Sequence, residues 1–321
     1  MNNKGLQGMA IRFSHLPLIA SAVVAIALPA RAQDNFYSSS DGSVSAFAGF
    51  GLTSLEAGEY VYDGSHKLSQ LDWESKNVPT AKMGATLELG YNWRLKGKLD
   101  IGMDGDGHMV DRDWMVYSID DWTHQSVHPD TRLDHYLSGT IEADRTLYQT
   151  DTTRLSLGGG LGYSDVQWSA YGGSYIYSTY ALHDTVGNFA DGEKGITYRQ
   201  KIPVAFVSAN AEQRIGALTL AGGIQGGATF GISDIDDHWL RDLRFYDDMK
   251  PAPMIGANVS LDYQLLPSAS IYVAGDFQKV YHAKGDTKVE STTSSASANY
   301  DDAAGADFQS WSVSFGLKGR F

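Results

Sequence analysis

Two short stretches carry residues whose types and spacing can do chemistry. One runs His108-Met109-Val110-Asp111-Arg112-Asp113-Trp114 and the other Ser233-Asp234-Ile235-Asp236-Asp237-His238. On a β-strand, residues two apart share a face. Asp111 and Asp113 then point one way, and so do Asp234, Asp236 and His238. A carboxylate two residues from a histidine on the same face can orient the imidazole and raise its basicity. Such a histidine can act as a general base toward water. An opposing carboxylate pair can hold that water, and two close carboxylates favour sharing a proton. A third acidic position, Glu59, lies in Glu59-Tyr60-Val61-Tyr62-Asp63.

Other chemistries fit less well. Asp104-Gly105-Asp106-Gly107-His108 looks like a calcium loop, but the later ligand positions are unfilled and no Glu closes it. His108, His128 and His238 lack a zinc-ligand spacing, so no metal is expected. No Gly-x-Ser-x-Gly elbow is present. With no cysteine there is neither a thiol nucleophile nor a disulfide framework. Acidic residues at a solvated rim, doing no chemistry, are the plain alternative.

The acidic stretches need elements to bring them together, and the chain offers strands. Met83, Ala85, Leu87, Leu89, Tyr91 and Trp93 alternate with polar or glycine positions, as do Ile255, Ala257, Val259, Leu261, Tyr263 and Leu265. Windows of about ten residues with one apolar face suit tilted strands crossing a bilayer. Ten strands are expected, over 43–62, 66–93, 98–112, 134–147, 154–170, 199–213, 217–236, 253–265, 268–282 and 308–321. Short connections near 94–97, 148–153, 214–216 and 266–267 alternate with long ones near 113–133, 171–198, 237–252 and 283–307. The tight Asp63-Gly64-Ser65 turn is the exception. The reading is an all-β, ten-stranded antiparallel transmembrane β-barrel with long extracellular loops. The last strand ends on Trp311, Val313, Phe315, Leu317 and Phe321, a pattern that resembles the assembly signal of outer-membrane barrels. With the N-terminus on the periplasmic side, odd strands run outward. Glu59, Asp111, Asp113 and the Asp234–His238 run then meet at the extracellular mouth.

Lys4 and Arg12 precede an apolar stretch from Leu16 to about Pro29, followed by Ala30-Arg31-Ala32. This predicts a signal peptide over 1–32 and a single barrel domain over 33–321. The chain has 35 glycines, 18 tyrosines and a net charge of −13. That balance argues against nucleic acid and leaves cationic ligands open.

Several stretches together resemble the omptin family of outer-membrane proteases over essentially the whole mature length. They are Leu68-Ser69-Gln70-Leu71-Asp72-Trp73, Met109 to Met115, His128-Pro129-Asp130-Thr131, Gly172 to Ser178, and Asp234 to His238. The resemblance implies an endopeptidase of a Gram-negative outer membrane, its active site in an extracellular cleft. Asp111 and Asp113 match the family's aspartate pair, and Asp236 and His238 its Asp-His dyad. Attack by an activated water is implied, without cofactor or catalytic metal. Glu59 and Asp234 stand where the family places two acidic groups that select Arg or Lys before the scissile bond. Lipopolysaccharide is implied as an activator on the outer wall, with Tyr163, Asp165, Lys201 and Lys250 as counterparts of its site. Two positions depart from the pattern. His124 stands where an acidic residue lines the pocket after the cut, and Gln167 stands where an Arg is usual. The expected partners are outer-membrane lipid and basic peptides or proteins, and a monomer is expected. A non-enzymatic adhesin or invasin holding basic host proteins is the alternative, and a porin a weaker one.

Overall fold

The computed structural model describes residues 43–321. The expected signal peptide, 1–32, lies outside the described residues. Fifteen strands form one antiparallel sheet. They are β1 (Val44–Asp63), β2 (His66–Glu88), β3 (Trp93–Gly102), β4 (Asp106–Asp113), β5 (His124–Gln149), β6 (Thr153–Tyr171), β7 (Ser174–Tyr177), β8 (Thr185–Asn188), β9 (Lys194–Ile215), β10 (Leu218–Thr229), β11 (Ser233–His238), β12 (Leu243–Met249), β13 (Ala252–Leu266), β14 (Ala269–Ser291) and β15 (Ser297–Arg320). β1 pairs with β15 from Ser45↔Arg320 to Val61↔Ala304, which closes the sheet on itself. Closure pairs both edges of every strand that crosses the belt, as a sheet surrounded by lipid requires, and only the short outer strand β8 has one partner among the described residues.

Ten strands make the wall because five of them are each interrupted once: β3 continues as β4, β6 as β7, β8 as β9, β10 as β11, and β12 as β13. Backbone conformation explains the breaks. Asp104 and Gly105 have φ of 66° and 112°, Gly172 and Gly173 of 52° and 103°, and Gly231 of 137°. At Gly105 a Cβ would sit 2.8 Å from the Lys76 carbonyl oxygen, and at Gly173 2.2 Å from that of Val127. Only glycine fits those bends.

Outward-facing Leu52, Met83, Leu87, Ile141, Leu157, Leu161, Val207, Ile224, Val259, Val273 and Phe315 are exposed and form an apolar belt. A belt of this kind faces lipid. About ten residues cross a bilayer, whereas β5 has 26 and β15 has 24. The wall therefore continues well past the belt at one end, where the two-residue turn 64–65 and the segments 114–123, 178–184, 239–242 and 292–296 lie.

The structure corrects several sequence boundaries. The segments expected as long loops are largely strand. β5 starts at His124, inside the expected 113–133 loop, and β12 fills much of 237–252. β14 and β15 leave only 292–296 between them. Above the lipid the outer face of the wall is polar and the inner face mixes apolar and acidic residues, so no continuous apolar face marks these strands. The turn expected at 94–97 lies at 89–92, where Gly90, Tyr91 and Asn92 all have positive φ. The alternation of Leu89, Tyr91 and Trp93 runs straight through it.

Candidate active site

The wall above the belt is held apart by an aromatic floor. Trp73, Trp168 and Tyr198 are buried and stacked, with ring centroids 5.5–6.4 Å apart. Trp168 Nε1 donates to Ser75 Oγ at 2.9 Å, and Trp73 Nε1 donates to Glu59 Oε2 at 3.1 Å. Stacked aromatics satisfy their own polar edges and give a rigid base.

On this floor the three acidic stretches converge. Cross-strand register sets their neighbours. Asp111 sits opposite Leu71, and Asp113 opposite Ser69. Asp234, Asp236 and His238 sit opposite Gln200, Tyr198 and Ile196. His238 Nε2 lies 2.5 Å from Asp236 Oδ2, as the two-residue spacing requires. Ser69 Oγ donates to Asp111 Oδ1 at 3.1 Å, and Tyr198 Oη to Asp234 Oδ2 at 3.1 Å. Glu59, Asp111, Asp234 and Asp236 are all buried. Every predicted catalytic and pocket residue is thus at one end of the barrel.

Burial dominates the electrostatics. It lifts Asp111 to about 7, helped by Asp113 and opposed by His238, Arg241 and Ser69. Asp113 is also raised by burial, against Ser69, Arg241 and His124. Glu59 is pushed well up by burial and then by Asp236. Asp234 and Asp236 are raised for the same primary reason. His238 is lowered to about 4, by burial and then by Arg241, against the pull of Asp111, Asp113 and Asp237. At neutral pH its imidazole is neutral, the form that accepts a proton. Asp111 and Asp113 are within electrostatic reach of it, which puts the two clusters across one cleft.

Four contributors escaped the sequence reading. Trp73 and Tyr198 support Glu59 and Asp234 from neighbouring strands. Ser126 stands opposite Asp111 and within 2.9 Å of His128 Nε2. Asp247, in a span read as loop, pairs with Asp234 in register. No local spacing marks them, because register between distant strands brings them in. Among the described residues, Glu59, Asp236 and His238 offer ligand atoms within 4.8 Å of one another. A divalent cation there would tie up the Asp236–His238 pair. This set differs from His108, His128 and His238, considered from the sequence.

The outer-wall residues divide. Tyr163 is exposed, and Asp165 faces Lys201 across β6 and β9. Asp165 is held by Arg199 through two hydrogen bonds of 2.9 and 2.6 Å and by His135 at 2.9 Å. Lys250 follows β12 and pairs with Asp302. Gln167, the departure from the family pattern, stands opposite Arg199 in register.

The Omptin family model matches residues 40–321. Protease 7 of Escherichia coli O157:H7 is 29% identical over 310 residues, covering 92% of this chain and 96% of the relative. A plasminogen activator of Yersinia pestis is 28% identical over 292 residues, covering 88% and 91%. The crystal structure of the outer membrane protease OmpT from Escherichia coli superposes with a TM-score of 0.85 at 27% identity, covering 90% of this chain and all of that one. A family match from the first wall strand to the last residue, on a barrel of the same architecture, leaves one assignment: the chain belongs to the omptin family.

Proposed function

We propose that the protein is an outer-membrane endopeptidase of a Gram-negative cell, with its cleft facing outward, that cuts after Arg or Lys. The observation that carries this is a half-buried, neutral His238 held 2.5 Å from Asp236 and acted on by the charges of Asp111 and Asp113. A water between the two pairs attacks the scissile carbonyl carbon as His238 takes its proton. Asp236 stabilises the imidazolium that forms. Near pH 7 the Asp111–Asp113 pair holds a proton with which it can hydrogen-bond the developing oxyanion. The proton on His238 then passes to the leaving amine, and the carboxyl product departs. Glu59 and Asp234, at the bottom of the cleft, receive the basic side chain before the cut. No cofactor and no catalytic metal enter this mechanism. The relatives named proteases support the reaction class.

The test uses refolded protein and peptides varied on both sides of one Arg. Cleavage after Arg or Lys, unchanged by chelators and serine-protease inhibitors, is the expected result. Full activity in a His238→Ala protein would sink the assignment.

The same proposal extends to lipopolysaccharide. Tyr163, Asp165 and Lys201 share the outer wall above the belt, and Arg199, opposite Gln167, brings a cation to that face. An Arg199→Ala protein should need more lipopolysaccharide for half-maximal activity. An unchanged requirement would remove Arg199 from the contact. Lys250, paired with Asp302, stands apart from this set and is the weakest member.

A further inference from the structure

The floor of the cleft holds more acceptors than the proposed pocket needs. Asp247, on β12, is buried and lies opposite Asp234 in register, and opposite Thr287 on the other side. Asp234 Oδ1 and Asp247 Oδ1 are both buried, and among the described residues neither has a hydrogen-bond partner. A second, neutral side chain repeats the pattern. Gln200 has no exposed surface and pairs with Asp234 from β9. Its Nε2 donates to Tyr198 Oη at 3.1 Å and to the Asp307 carbonyl at 3.2 Å, but its Oε1 has no donor. Tyr198 in turn donates to Asp234 at 3.1 Å. Gln200 is therefore fixed by its amide nitrogen, with an acceptor left over beside Asp234.

A buried acceptor without a donor destabilises the fold, more so when charged. A ligand that brings donors removes that cost. An ammonium offers three donors from one point, and a guanidinium five in a planar fork. Glu59 and Asp234 alone would suit either. Asp247 and Gln200 add acceptors that an ammonium at the end of a lysine cannot also satisfy.

We infer that Asp247 is a further specificity-determining residue, the third carboxylate of a pocket that takes an arginine guanidinium in preference to a lysine ammonium. This rests on the proposed cleavage after basic residues. Asp234 and Asp247 are close enough to share a proton. Burial holds Asp247 up, to about 6, and raises Asp234 as well, with the Asp247 charge adding to it. Docking of a guanidinium expels the shared proton to solvent, so the arginine substrate binds more tightly as pH rises through that range. The selectivity belongs to KM, since Asp247 lies opposite Asp234, while His238 lies opposite Leu243, and it acts before the bond breaks.

The experiment compares two peptides that differ only in Arg or Lys before the cut. Asp247→Asn should lower the Arg-to-Lys ratio of kcat/KM by about tenfold, mostly through KM, and Asp247→Glu should keep more of the ratio than Asn does. A ratio unchanged in Asp247→Asn overturns the inference, as does an equal loss for both peptides, which is what a merely structural role gives. A measurement on the unaltered protein stands beside it. A simple alkylguanidine should inhibit competitively at lower concentration than the matching alkylamine, and equal inhibition overturns the inference. Failure of the unaltered protein to cleave after any basic residue would instead remove the proposed function, a result distinct from these.

Discussion

The inside of this barrel is charged at both ends of its length, but in opposite ways. At the level of the apolar belt the charges are neutralised. Lys82 reaches Asp100 at 2.8 Å and Asp276 at 3.3 Å, and Lys98 reaches Asp276 at 2.7 Å. Arg94 binds Asp144 through two bonds of 2.9 and 3.0 Å and Glu212 at 2.5 Å, and Lys96 joins Asp144. In the cleft, Glu59, Asp111, Asp234, Asp236 and Asp247 are buried, and among the described residues no lysine or arginine is bonded to them. Arg241 acts there only at longer range. A buried charge pair is a structural plug, whereas buried carboxylates left unpaired destabilise the fold. The difference separates a region built for stability from one whose missing charge the substrate supplies.

The sharpest way to break this comparison is to remove a cleft charge. Asp236→Asn leaves His238 without the carboxylate that stabilises its protonated form. Turnover should fall by about a thousandfold, within the range general acid–base catalysis contributes. The barrel should be as stable as before, or more so, because one buried carboxylate without a lysine or arginine partner is gone. Peptide assays and guanidinium unfolding of the protein in micelles check both halves, and a variant that loses stability along with turnover would contradict the division.

The mirror experiment is Arg94→Ala. It leaves Asp144 with Lys96 alone and Glu212 without its bonded cation, and should cost about 3 kcal/mol. What remains folded should cleave with unchanged KM. A stability loss below about 1 kcal/mol would mean that water screens this network and that it is no plug.

A pH titration sharpens the contrast more gently. Asp111 ionises near 7 in the folded protein and near 4 unfolded. A carboxyl raised in this way binds its proton more tightly when folded. Its contribution favours the fold below about 4 and is lost as pH climbs through about 7. His238, lowered to about 4, works in the opposite sense, costing stability as pH falls below its usual value near 6.5. The difference between the unaltered protein and Asp111→Asn isolates the first effect. The variant should lose less stability between pH 4 and 7, and parallel curves would show that Asp111 is not buried as an acid.

How much of this was legible in the sequence depends on whether a relation lies along a strand or across strands. The shared face of Asp234, Asp236 and His238 follows from spacing alone, and the apolar alternation gave the wall within the belt. Relations across strands were not legible. Asp247 meets Asp234 only because β11 and β12 fold back around the short turn Trp239–Arg241. Gln200 and Tyr198 reach the cleft through pairing of β9 with β11, some 35 residues along the chain. The strands above the belt were also hidden. In Lys284–Glu290 the outward Lys284, Asp286 and Lys288 alternate with Gly285, Thr287 and Val289, which offers no apolar face to read. The family resemblance supplied roles for residues that spacing could only align, and it passed over Asp247.

The smallest expected effect concerns the other wall of the cleft. His124 lies opposite Asp113 in register, and Thr123 Oγ1 is 2.9 Å from its Nδ1. Its ring tilts against Tyr177 with centroids 5.0 Å apart. Arg241, from the turn after His238, acts on Asp111 and Asp113 at longer range. Thus the wall that holds Asp111 and Asp113 also carries an imidazole where the family pattern has an acid. A basic residue after the scissile bond gains nothing from that imidazole, and an acidic one is not repelled by it. His124→Asp should shift the preference toward a basic residue there by about two- to fivefold, the worth of one partly solvated charge pair. The shift should shrink at high salt, since screening weakens such pairs. Paired peptides with Lys or Glu after the cut, assayed at two ionic strengths, give both numbers. If His124→Asp changes neither, His124 does not meet the substrate after the cut, and the selectivity of the cleft ends at its floor.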